Sequence, residues 1–215
     1  MTLPLAQFVT VWGFLAINIV SPGPNVINTI ATAMGSGRQA GIGSAVGVGL
    51  GIGGWCLFMS VGMASVFALL PGAQVALTLA AIALLAVFSS RYLRAAWAGF
   101  RGGPDRVRGR GGLDFAAGFR RSLLINALNP KALTSWLAIL TLFPVARAAP
   151  GDIALLCAGA CVLSFTIHSG YALLFSTPAA ARFYLAAGWA ISGVAGLFFA
   201  FVALRLLADV LSGTA

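Results

Sequence analysis

The residues best equipped for chemistry in this sequence are its one lysine, Lys131, its one histidine, His168, and its asparagines Asn18, Asn25, Asn28, Asn126 and Asn129. The asparagines crowd two proline motifs: Pro22, Gly23 and Pro24 in "NIVSPGPNVIN", and Pro130 in "INALNPKAL". Both motifs interrupt runs that are otherwise as apolar as lipid. A proline removes a backbone donor and clashes with the carbonyl four residues back, which opens carbonyls on one side of a break and N–H groups on the other. Carboxamides in such surroundings need partners or a ligand, and an ammonium far from either end of an apolar run marks a functional site by default. The chemistry these groups offer is recognition of a small zwitterion. Half-helix N-termini after Pro22 and Pro130 present donors and the positive end of a dipole to a carboxylate. Lys131 adds charge, and Asn18, Asn25, Asn126 and Asn129 orient the rest. The competing reading makes the prolines packing kinks.

Other chemistries fare worse. A covalent enzyme needs a nucleophile with a base or a metal cluster, and here one histidine stands with no acid at depth. The four acids, Asp105, Asp114, Asp152 and Asp209, fall in expected loops or near helix ends. That leaves Lys131 and His168 as the candidates for proton coupling, His168 having an equally good reading as a packing residue among Thr166, Ser169 and Tyr171. Cys56, Cys157 and Cys161 all lie in apolar segments and form no disulfide framework. A thiol-redox carrier would need cysteines beside the prolines, and a metal exporter would need intramembrane carboxylates or a histidine-rich loop. No cofactor and no resident metal are expected.

The elements that must hold these residues follow from composition. The 215 residues are 60% hydrophobic and 8% charged, with a mean hydropathy of +0.99, far outside the range of a soluble domain. Apolar runs long enough for a ~30 Å hydrocarbon layer occur at about 4–33, 41–70, 73–90, 115–146, 153–177 and 184–208. This predicts an all-α polytopic membrane protein of six helices. The N-x-x-S-P of Asn18–Pro22 and the N-x-x-N-P of Asn126–Pro130 are 108 residues apart, and Pro71 and Pro178 are 107 apart, each half the chain. Two three-helix repeats follow, about 1–98 and 115–215, in one transport domain. Three being odd, the second inserts upside down, and interrupted helices in matching positions of inverted repeats point to a transport site. Both interrupted runs, the first and the fourth, are long enough to be two half-helices each. The second run carries Gly43, Gly47 and Gly51 at small-x-x-x-small spacing, a packing stripe or a sliding surface against the broken first helix.

Charge sets the orientation. The chain carries +9, and Arg91, Arg94, Arg101, Arg106, Arg108, Arg110, Arg120 and Arg121 cluster in and around the 99–114 loop. Arg38 and Arg182 lie on the same expected side, and Arg147 and Arg205 on the other. The positive-inside rule places this loop in the cytoplasm and both termini outside. The loop reads as a contact for anionic lipid, not nucleic acid. Self-association, substrate identity and coupling stoichiometry are not legible.

The stretch "SPGPNVINTIATAMGSGRQAGIGSAVGVGLG" (21–51), with "INALNPKALTSWLAIL" (125–140) and "GYALLFSTP" (170–178), resembles the LysE/RhtB family of amino-acid exporters. The likeness covers most of the chain, with Pro22, Gly23, Pro24 and Asn25 matching one motif and Asn129, Pro130 and Lys131 the other. It implies a six-helix carrier of the bacterial inner membrane that exports amino acids or close derivatives on the proton gradient. One position departs: Ile52 follows Gly51 where many members have an aspartate, so coupling through that acid is absent. The alternatives are a metal-ion exporter of the same architecture and a non-transporting accessory protein.

Overall fold

The computed structural model describes residues 2–69, 73–102, 109 and 111–212, and among them every regular element is helical. In chain order these are α1 (Leu5–Val20), α2 (Pro24–Leu69), α3 (Ala73–Gly102), α4 (Phe115–Ala127), α5 (Pro130–Leu142), a 3-10 turn (Val145–Arg147), α6 (Pro150–Leu174) and α7 (Pro178–Leu211). Pro71 and most of the arginine-rich connection lie outside the described residues.

Among the described residues, four helices are long and apolar enough to cross a membrane: Pro24–Met63, Val75–Gly102, Pro150–Leu174 and Ala186–Leu211. Their outward faces confirm the solvent. Phe58, Phe183 and Leu204 are 69%, 76% and 66% exposed, an arrangement that would cost a water-soluble protein its solubility and that suits lipid. The chain is a polytopic membrane protein.

The first and fourth apolar runs are both broken at their prolines. α1 stops at Val20 and α2 starts at Pro24; α4 stops at Ala127 and α5 starts at Pro130. The cause is local. Pro24 and Pro130 sit where a helix starts and needs no N–H, and Asn129 caps α5 by accepting the Lys131 N–H on its Oδ1 at 3.0 Å. The fragments α1, α4 and α5 have 16, 13 and 13 residues, short of the ~20 that one crossing takes.

α2 has a second interruption, at Gly37, whose φ of 82° and ψ of −177° are open to glycine alone. Residues 24–36 are thus a short rigid arm with non-helical backbone at both ends. Beyond the kink, α2 lies along α4 and α6, and α3 lies along α7. The glycine stripe sets the first of these contacts. A Cβ at Gly43 or Gly47 would collide with the carbonyl oxygens of Phe115 or Phe119, and one at Gly51 would stand 2.5 Å from Asn126 Oδ1. The stripe therefore faces α4 and not α1, which corrects the sliding-surface reading while keeping the packing one. Gly53 performs the same service against Cys161 of α6. The three cysteines are free thiols, with Cys157 in contact with Cys56 at 2.9 Å. An aromatic core of Phe8, Phe14, Trp136, Phe143 and Phe199 joins α1, α5 and α7.

Candidate functional site

The two breaks meet. Lys131, the second residue of α5, reaches across to the end of α1, where its Nζ donates to Asn18 O at 2.8 Å, Ser21 O at 3.1 Å and Ser21 Oγ at 2.7 Å. The ammonium also lies 5.4 Å from the centre of the Tyr92 ring. A cation at a helix C-terminus complements both the free carbonyls and the negative end of the dipole.

The neighbouring carbonyls are satisfied in the same manner. Tyr171 Oη donates to Val20 O at 3.2 Å, and Tyr92 Oη to Pro22 O at 2.7 Å. Four oxygens that the break frees, on Asn18, Val20, Ser21 and Pro22, are thus held by side chains of α3, α5 and α6. The expectation of open carbonyls lining a site is corrected here: they form a plug that locks three elements onto the first break. Asn18 belongs to the same lock, its Nδ2 donating to Ser135 Oγ at 2.6 Å, while Ser135 Oγ donates to Lys131 O at 2.6 Å. The N–H groups of α5 are likewise less open than expected, since Asn129 caps one of them.

What remains open is a cavity of about 40 Å³ between the breaks, room for a few water molecules and smaller than an amino acid. Asn18, Gly23, Pro24, Asn25, Asn126, Asn129, Lys131 and His168 all line it. Pro22 stands in the break behind it, bound to Tyr92, and Pro130 opens α5. Sequence reasoning therefore gathered most of this constellation. The apolar wall is Leu15, Ile19, Val26, Ile52 and Trp136. At Ile52 the wall carries a hydrocarbon side chain and no acid.

Several polar atoms at this cavity have no partner in the described structure: Asn25 Oδ1, Asn126 Oδ1 and Nδ2, and His168 Nε2. Asn126 is fully buried and His168 is 1% exposed, so these groups call for a hydrogen-bond partner. The His168 ring is oriented by its other nitrogen. Nδ1 lies 3.0 Å from Ser164 O, and because a carbonyl only accepts, Nδ1 is the donor, which leaves Nε2 as the acceptor when the ring is neutral. The histidine's hydrogen bond is therefore to Ser164 and not to Thr166, Ser169 or Tyr171; Tyr171 meets it edge-on at 6.0 Å.

A polar seam leads away from the cavity between α2 and α4. Asn28 Nδ2 donates to Ser122 Oγ at 2.8 Å, Ser122 and Ser44 share a bond of 2.6 Å, Ser44 and Thr29 one of 2.9 Å, and Arg121 Nε donates to Asn28 Oδ1 at 3.0 Å. Sequence reasoning missed Ser44, Ser122, Tyr92 and Ser135. The signals were slight: Ser122 precedes Asn126 by one helical turn, and Ser135 follows Lys131 by one.

The fold and its site together define a polytopic membrane protein with a cluster of buried polar side chains where two interrupted helices meet. The chain belongs to the LysE type translocator family, whose profile matches residues 16–210. It is 31% identical over 207 residues to a membrane protein of Pseudomonas aeruginosa described as uncharacterized, with 93% of this chain and 94% of the relative aligned. No solved structure matches the chain at a significant level.

Proposed function

We propose that the protein is a secondary active carrier that exports amino acids or close derivatives across the bacterial inner membrane, coupled to the proton gradient. The observation that carries this reading is the meeting of the two proline breaks around one small cavity lined by residues of both, with Lys131 of the second break bound to the end of the first. Broken helices inside a membrane protein are tolerated where they are buried or line a cavity, and their pairing is the arrangement carriers use for substrate sites. In this reading α1 with residues 24–36 makes one crossing, α4 with α5 makes its inverted counterpart, and six crossings result. The cavity of about 40 Å³ is smaller than an amino acid and must widen to load.

Lys131 changes partners in the cycle. The substrate carboxylate competes with the α1 carbonyls for the ammonium, assisted by the positive end of α2, whose first turn at Asn25 and Val26 borders the cavity. Substrate arrival thereby loosens the lock between the breaks. Lys131 and His168 are the titratable groups placed to exchange a proton during that step.

The test is efflux. Cells expressing the protein and loaded with a mixture of amino acids should lose at least one of them several-fold faster than cells without it, and a protonophore should abolish the difference. Equal efflux across the whole mixture overturns the export reading. Efflux indifferent to the protonophore removes proton coupling.

A further inference from the structure

Three residues that line one cavity with Lys131 each carry a hydrogen-bond acceptor without a partner among the described residues: Asn25 Oδ1, His168 Nε2 and Asn126 Oδ1, the last packed beside Gly51. They come from three different elements, α2, α4 and α6. A buried acceptor calls for a donor, and three on residues around one small space call for a shared one. A primary ammonium has three donors and no acceptor, so it matches this set in number and in kind. Asn126 Nδ2, also unpaired, is a donor left for the carboxylate end.

The remaining wall decides what else the ligand carries. Leu15, Ile19, Val26, Ile52 and Trp136 offer hydrocarbon and the edge of an indole. Among the described lining residues no aspartate or glutamate stands opposite Lys131. A second cation on the ligand would be buried without a counter-charge and repelled by the lysine already there, the costliest placement a charge can have. A second carboxylate would lie on the apolar wall, stripped of water and without a donor.

We infer that Asn25, Asn126 and His168 form the receptor for the α-ammonium group, and that the site selects amino acids with uncharged, apolar side chains and rejects basic ones. This rests on the carrier reading above and specifies its ligand.

The experiment uses the full-length protein purified into lipid vesicles and loaded in turn with radiolabelled leucine, lysine or glutamate. Leucine should leave at least ten times faster than lysine or glutamate, and leucine's 2-hydroxy analogue, in which a hydroxyl replaces the ammonium, should fail to compete with it. Asn126→Leu should raise the leucine concentration for half-maximal efflux at least tenfold. Ile52→Asp, which places a carboxylate on the cavity wall, should narrow the gap between leucine and lysine. Lysine leaving as fast as leucine, or full competition by the hydroxy analogue, overturns the inference while leaving the carrier intact. If no amino acid leaves faster than from protein-free vesicles, the carrier reading falls and takes the inference with it.

Discussion

At Lys131 the sequence and the structure agree on importance and differ on the reason. Its isolation in apolar sequence identified it, because a charge so placed must have a purpose. Its partners were not legible: the oxygens of Asn18 and Ser21 are more than a hundred residues away, and nothing local signals which carbonyls a lysine will meet. The same holds for Tyr92 and Tyr171, which fill the first break from α3 and α6. The partners change the expectation for Lys131→Met. Removing an ammonium that has no partner could stabilise the fold, whereas removing this one leaves Ser21 O without its side-chain donor and leaves Asn18 O and Ser21 Oγ with only the bond between them in place of the charged one. Charge-assisted bonds contribute about 1.5–3 kcal/mol each, so Lys131→Met should both abolish efflux and lower the thermal midpoint of the detergent-solubilised protein by several degrees. Lys131→Arg should recover part of the midpoint and little of the efflux, because a planar guanidinium can reach carbonyls but does not fit a pocket formed around an ammonium. Normal efflux from Lys131→Met would remove the lysine from the mechanism. An unchanged midpoint would show that the α1 end is held by other means.

The helices were legible where hydrophobic length and proline chemistry dictate the backbone. The first run divides at Pro22 to Pro24 and the fourth at Pro130, as the loss of backbone donors requires. The kink at Gly37 was hidden among the glycines of "MGSGRQAGIG", since most of those are helical and only their neighbours distinguish close packing from a turn. Its consequence is mechanical. Residues 24–36 carry Asn25 to the cavity and Asn28 and Thr29 to the seam, and this arm is bounded by the proline break and by Gly37. An arm hinged at both ends can swing without unwinding its own hydrogen bonds. Gly37→Ala should therefore slow efflux severalfold while leaving insertion unaffected. A Cβ at this position meets no atom within 4 Å, so its whole effect comes from a φ that alanine resists. Efflux at the original rate would show that the kink is static, and loss of the inserted protein would show that it is needed for folding.

Across the whole molecule, the two ends of the cavity differ in kind. On one side the seam of Asn28, Thr29, Ser44 and Ser122 runs towards Arg121 through bonds between side chains that water can replace, beside the small apolar cluster of Val26, Ile30, Tyr171 and Phe175 and the close α2–α4 packing at Gly43 and Gly47. On the other side stands the aromatic core of Phe8, Phe14, Trp136 and Phe143, whose separation would expose hydrocarbon at about 25 cal/mol for each Å². The polar seam is thus the easier side to open, and which compartment it faces decides where substrate is loaded. Of the twelve basic residues other than Lys131, ten flank the same expected surface as Arg121, and an exporter must load from the cytoplasm, where the positive-inside rule puts them. Under the proposed export reading, the direction of transport and the retention of arginine point to the same orientation. A reporter active only in the cytoplasm should signal when fused within the 99–114 loop and stay silent when fused at the C-terminus, and a periplasmic reporter should give the reverse. Matching signals at the two positions would mean an even number of crossings between them, which breaks the inverted repeat. Reversed signals would keep the repeat and turn the seam, with its loading side, to the outside.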